Sequence, residues 1–147
     1  MITPNQTETR ALKIAGVAVY VDDVRLVLDF YHRAFGFRTR FFDEAFDYGE
    51  LDAGETGVAF ASHKTGEMRM PGRFVQPQSG QPSTVEFAFF TSDVPAAFAR
   101  AVDAGAVPLA EPKLMPWGMT VAYLRSIEGT LIGLSTPPAS VSTATEI

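Results

Sequence analysis

The sequence predicts an α+β fold: two tandem βαβββ modules whose strands form a concave mixed sheet around a cleft, with the helices on its outer face. Three observations lead there. The stretch AGVAVYVDDVRLVLDFYHRAFGF, beginning at Ala15, is matched by VEFAFFTSDVPAAFARAVDAGAV, beginning at Val85. The match keeps one register, because Ala18 and Ala88, Asp23 and Asp93, and Val24 and Val94 are all separated by the same 70 residues. After each copy come short apolar segments parted by turn residues, the pattern of strands rather than of a further long helix.

In the first strand, residues two apart share a face. Val17, Val19 and Val21 form one face, and Gly16, Ala18 and Tyr20 the other. The helix that follows carries Val24, Val27, Leu28 and Tyr31 on one stripe, at i, i+3, i+4 and i+7. Asp22 or Asp23 suits its N-cap, and Gly36 its stop. Strands are then expected at Arg38–Phe42, Tyr48–Leu51 and Val58–Ser62, with GETG at 54–57 as a turn. His63 and Lys64 read as the start of a surface loop.

The second copy repeats this order. Phe87 and Phe89 share one face of its first strand, and Glu86, Ala88 and Phe90 the other. Val94, Ala97, Phe98 and Ala101 form the apolar stripe of its helix, capped by Ser92 or Asp93 and started by Pro95. Gly105 suits its end. Strands are expected near Val107–Ala110, at Val121–Arg125 and at Leu131–Ser135, with IEGT at 127–130 as a turn. The modules therefore span 13–66 and 84–137. The linker 67–83 is rich in proline, glycine and glutamine from Met70 to Ser83, and the ends 1–12 and 138–147 read as flexible and disordered.

Composition bounds the function. A length of 147 residues, 46% of them hydrophobic and 12 of them phenylalanine, supplies one substantial core. The net charge of −5 lacks the basic footprint of a nucleic-acid binder, so no nucleic-acid partner is expected. There is no cysteine, which excludes disulfides, thiolate metal sites and a cysteine nucleophile. MITPNQTETR holds no apolar run that would make a signal peptide, and no segment approaches the roughly 20 apolar residues that cross a bilayer. A cytoplasmic domain with no membrane partner is the expectation. Serine-nucleophile, phosphate-loop and HExxH motifs are absent.

Paired βαβββ modules carrying VDDV…FYHRAFGF, then FTSDVPAAFARAVDAGA, then PWGMTVAYLRSIEGTLIGLSTP, resemble the vicinal oxygen chelate superfamily. That superfamily includes glyoxalase I, extradiol dioxygenases and bleomycin-resistance-type binding proteins. The resemblance runs from Ile14 to Pro137. It implies a cleft that in catalytic members holds a divalent metal on side chains from the first and last strands of each module. Those positions fall on Gly16, Phe60, Glu86 and Gly133, and only Glu86 among them could ligate. Two histidines exist. His32 lies by the polar stripe of Arg25 and Asp29, and His63 in the expected loop, so neither is placed to join Glu86. No metal and no cofactor are expected.

Two readings of Glu86 stand side by side. It could pair with an arginine such as Arg125 or emerge at the sheet edge. It could instead face the cleft and orient a ligand, and if buried without a cation it would become a proton acceptor and the best catalytic candidate. Tyr20, Phe60 and Phe90 are expected on the concave surface, and Trp117 in the loop LMPWG. With the bare backbones of Gly16 and Gly133, they suggest an aromatic-walled cleft for a small, aromatic or amphipathic ligand. The functional expectation is a metal-free binding protein resembling the bleomycin-resistance branch, an antibiotic being one kind of ligand. A lyase, isomerase or dioxygenase with atypical or no metal ligands is the alternative, and a vestigial pocket in an interaction protein the third reading. The resemblance also implies a homodimer.

Overall fold

A computed structural model of the chain describes residues 11–74, 76 and 83–138. The expected flexible start and disordered tail therefore lie, at 1–10 and 139–147, outside the described residues, as do 75 and 77–82 of the linker.

The first module consists of β1 (Val17–Val21), α1 (Val24–Phe35), β2 (Thr39–Asp43), β3 (Tyr48–Leu51) and β4 (Val58–Ser62). A short α2 (His63–Arg69) follows. The second module consists of β5 (Glu86–Phe90), α3 (Val94–Asp103), β6 (Val107–Leu114), β7 (Thr120–Arg125) and β8 (Leu131–Ser135). Each long helix starts where a side-chain oxygen satisfies an otherwise orphaned N–H. The Asp23 carboxylate accepts from Leu26 N, and that of Asp93 from Ala96 N, both at 3.1 Å. These are the second aspartate of VDDV and the aspartate of TSDV, so Asp22 and Ser92 are not the caps. Gly36 ends α1 in the left-handed conformation, at φ 81°.

The strands form two four-stranded mixed sheets, ordered β1-β4-β3-β2 and β5-β8-β7-β6. In each, the first strand lies parallel to the last, and the remaining pairs are antiparallel. β1 and β5 end their respective sheets, so the strands do not join into one continuous sheet.

One core serves both modules. Tyr31 on α1 has no exposed surface, and its ring lies 5.0 Å from Phe60 of the first sheet and 6.2 Å from Phe87 of the second. Phe35 packs on Phe89 at 5.1 Å. Burying side chains of this kind is worth about 1.5–3 kcal/mol each, so separating the modules would forfeit several such contributions. Polar contacts tie the same seam. Arg33 Nη1 donates to Ala104 O at the end of α3, while Arg100 Nε donates to Arg33 O at the end of α1, at 3.2 and 2.9 Å. Each arginine thus satisfies a carbonyl at the other helix's C-terminus, where cations are favoured.

α2 corrects the expectation of a loop at His63. The Ser62 hydroxyl caps it by accepting from Thr65 N at 3.0 Å. The chain then brings Phe74 back, its ring 4.8 Å from Tyr20. No described helix is long and apolar enough to cross a membrane.

Candidate functional site

The alternation within β5, β7 and β8 decides what faces the core. Phe87, Phe89, Ala122, Leu124, Ile132 and Leu134 belong to the core or pack against it. The other face is assembled by register into rows. Glu86 pairs with Leu131, and Leu131 with Arg125. Ala88 pairs with Gly133, and Gly133 with Tyr123; Phe90 pairs with Ser135, and Ser135 with Val121. This face is open: Glu86 and Ala88 are exposed, Tyr123 is 38% exposed and Phe90 58%.

Glu86 bends across the middle row. A Cβ built on Gly133 would stand 2.7 Å from Glu86 Oε2 and 3.3 Å from Tyr123 Cε1. The side chain that Gly133 lacks is therefore replaced in space by the Glu86 carboxylate, with the Tyr123 ring beside it. Glu86 is exposed, which removes the burial on which a proton-acceptor role depended. No ion pair to a described cation holds it. The result is a carboxylate lying over bare backbone between a phenol and solvent, able to accept hydrogen bonds from a ligand lying on the sheet.

The corresponding face of the first sheet is more closed. Ala18 pairs with Ala59 and Tyr20 with Ala61, and both β4 alanines are buried. Phe74 lies against Tyr20 and also fills the space where a Gly66 Cβ would stand, 2.7 Å from its ring. The segment after β4 thus covers Tyr20.

The expected site residues therefore separate. Glu86, Phe90 and Gly133 share the open face of the second sheet, and Tyr20 occupies the covered face of the first. Phe60 is corrected: it is fully buried and turned toward Tyr31, because it pairs with Val19 on the helix side. Aligning AFAS with IGLS placed it one residue out of step, and the residue equivalent to Gly133 is Ala59, which lies across from Ala18 as Gly133 does from Ala88. Gly16 is corrected as well. A Cβ there would stand 2.7 Å from Gly57 O, so its bareness accommodates a neighbouring backbone rather than a cleft. Trp117 is 64% exposed in the turn between β6 and β7, and no described ring packs on it. Tyr123 is a further candidate, beside Glu86 and Gly133, that the expected set of site residues lacks. Its signal was the alternation of Val121, Tyr123 and Arg125 against Ala122 and Leu124.

The donors do not fit a divalent metal, which needs about three suitable side chains. Gly16, Ala59 and Gly133 offer none, leaving Glu86 alone at the four positions. Among the described residues, no group of three or more His, Asp or Glu side chains could hold an ion. His32 is exposed on α1, and His63 sits part-buried with Nε2 3.2 Å from Tyr20 O.

Comparison with known proteins agrees with this architecture. The chain resembles the structure of a glyoxalase-related enzyme from Fulvimarina pelagi, with a TM-score of 0.72 and 18% identity over 87% of this chain and 90% of that one. A glyoxalase/bleomycin resistance protein/dioxygenase family enzyme from Burkholderia phytofirmans PsJN gives 0.67 and 22%, over 83% and 96%. TioX from Micromonospora sp. ML1 gives 0.58 and 24%, over 84% and 98%. At these identities the likeness is one of fold. No curated protein matches the chain. The sequence model of the glyoxalase fold family, however, matches residues 13–134, most of the chain. The two βαβββ modules thus belong to a member of the Glyoxalase/Bleomycin resistance protein/Dioxygenase superfamily.

Proposed function

We propose that this chain is a metal-free small-molecule-binding protein that holds an aromatic or amphipathic ligand on the open face of its second sheet. The observation that carries this reading is the Glu86 carboxylate lying exposed over Gly133 beside Tyr123. The phenol ring and Phe90 offer apolar surface for a planar body, and the carboxylate accepts from a ligand's N–H or ammonium group. An antibiotic is one kind of molecule with that character.

A thermal-shift screen of aromatic amines, metabolites and antibiotics tests it. A ligand at 100 times its Kd adds about 2.7 kcal/mol of stability, or roughly 5–10 °C for a chain of this size. Glu86→Gln should then weaken the ligand about tenfold or more, as expected for loss of a charge-assisted hydrogen bond. Silence across the library, or equal binding by Glu86→Gln and Tyr123→Ala, would sink the proposal.

An enzyme of the same superfamily, working with atypical or no metal ligands, is the second reading. It rests on the same carboxylate, which would contact a molecule bound against Tyr123 but, being exposed, would act there without the help of burial. Its mark would be turnover lost in Glu86→Gln while binding persists.

The reading extends to a homodimer. β1 and β5 each end a sheet, and Val17, Val85 and Phe90 expose apolar surface along them. Unpaired edges of this kind are normally covered. Sedimentation of the purified chain as a monomer at micromolar concentration would remove this part of the proposal.

A further inference from the structure

A cavity lies at the C-terminal end of β5, at the seam between the modules, and Phe90 stands on its border with the Glu86 face. It has a volume of about 460 Å³, within the range of about 300–1,000 Å³ typical of small-molecule sites. Its apolar walls come from both modules: Phe35 and Phe37 from the end of α1, and Phe89 and Phe90 from the end of β5. Two charged side chains reach it, Asp93 and Arg100. Asp93 Oδ1 accepts from Ala96 N at 3.1 Å, and the N-terminus of α3 offsets the charge of this carboxylate.

Arg100 is differently placed. Its guanidinium donates only to neutral carbonyls, to Arg33 O from Nε at 2.9 Å and to His32 O from Nη2 at 3.4 Å. Among the described residues no carboxylate pairs with it. Its charge is therefore held in position by the end of α1 without being neutralised by a described carboxylate, and among the described residues Nη1 has no hydrogen-bond partner. A fixed, uncompensated guanidinium beside four phenyl rings matches a molecule with an aromatic body and one anionic group.

We propose that this inter-module cavity is a second ligand site, meeting the Glu86 face only at Phe90, that takes an aromatic carboxylate with its acid group on Arg100. The two sites have opposite preferences: the Glu86 face favours donors and cations, and the Arg100 cavity favours anions.

Titration with 2-naphthoate, followed by amide chemical shifts in the wild-type chain, tests the assignment. The amides of Thr91, Ala96 and Ala97 should shift saturably, while those of Tyr123 and Gly133 stay still. Neutral 2-naphthamide should bind roughly tenfold or more weakly, since it lacks the charge that Arg100 recognises. Ala96→Phe, which brings a ring to the cavity wall, should weaken naphthoate by a similar factor, and Glu86→Gln should leave it unchanged. The proposal is overturned if millimolar naphthoate produces no saturable shift, if the shifts fall at Tyr123 and Gly133, or if the amide binds as well as the acid. These wild-type outcomes decide the matter even if Ala96→Phe does not fold. They are also independent of the Glu86 reading, whose failure leaves naphthoate binding untouched.

Discussion

The carboxylate of Glu86 occupies the space above Gly133: Oε2 lies 2.7 Å from where a Cβ on that glycine would stand. The two residues belong to neighbouring parallel strands, and each explains the other's environment. The clash that an alanine would create is with the far end of a flexible, exposed side chain, so the chain can resolve it by swinging Glu86 away. Gly133→Ala should therefore be close to neutral in the wild-type background. In Glu86→Ala it should stabilise by about 0.4–1 kcal/mol, the usual gain from restricting the unfolded chain. Urea midpoints for the four proteins measure the coupling. A coupling below about 0.3 kcal/mol, the noise of additivity, would show that the carboxylate does not rest on Gly133.

Gly16 should behave in the opposite way, although sequence reasoning gave both glycines the same role. The atom in the path of a Gly16 side chain is Gly57 O, a backbone atom that also accepts from Val17 N at 2.8 Å. Backbone cannot swing aside as a carboxylate does. Gly16→Ala should cost about 1–3 kcal/mol, in the range of overpacked sites, with β1 parting from the turn before β4. Loss of protection of the Val17 amide in hydrogen exchange would locate the damage. An unchanged urea midpoint would contradict the tight crossing of the two backbones.

That contrast shows where the sequence was legible. The modules could be read because their signals are local: period-2 strands, period-3.6 helices and the Asp23 and Asp93 caps all lie within a few residues of what they specify. The faces of β4 could not be read the same way. VAFAS is apolar on both sides, so alternation there carries no polarity contrast, and only pairing with Val19 turns Phe60 inward. α2 was hidden by Gly66 in the middle of HKTGEMR, a residue that normally weakens a helix. Its reason is tertiary, because the Phe74 ring takes the space of a side chain. Glu86 was identifiable as the one donor at the family's positions, but its lean over Gly133 toward Tyr123 depends on register across three strands, which no single segment encodes.

Tyr31 joins the modules through a polar contact in an apolar place. Its hydroxyl donates to Glu128 Oε2 at 2.8 Å from full burial, while Glu128 Oε1 is buried without a hydrogen-bond partner among the described residues. Tyr31→Phe would leave the carboxylate short of a second donor, at a cost of about 1–3 kcal/mol. Burial first, and then the charge of Glu128, hold the Tyr31 phenol well above its ordinary value. The folded chain thus keeps a proton that the unfolded chain releases above about pH 10. Stability from this group is complete below that pH and falls as pH rises beyond it, by about 1.4 kcal/mol per unit. In urea titrations from pH 9 to 11, Tyr31→Phe should show a correspondingly shallower decline. A decline as steep as the wild type's would assign the alkaline sensitivity elsewhere.

The same packing bars a metal donor at one of the family's four positions. Glu86 is the one donor among the four positions, and Gly16 has no room for a side chain because Gly57 O stands in its path. A single carboxylate, exposed to water, cannot compete with a chelator for a divalent ion. Purified chain should therefore carry substoichiometric zinc, nickel, iron and manganese by elemental analysis, and EDTA should leave its Tm unchanged. Gly133→His should not create a tight site, since it adds only one donor to Glu86 and displaces that carboxylate as it does so. Stoichiometric metal together with a fall in Tm on chelation would mean that donors outside the described residues complete the site, and the metal-free reading would fail.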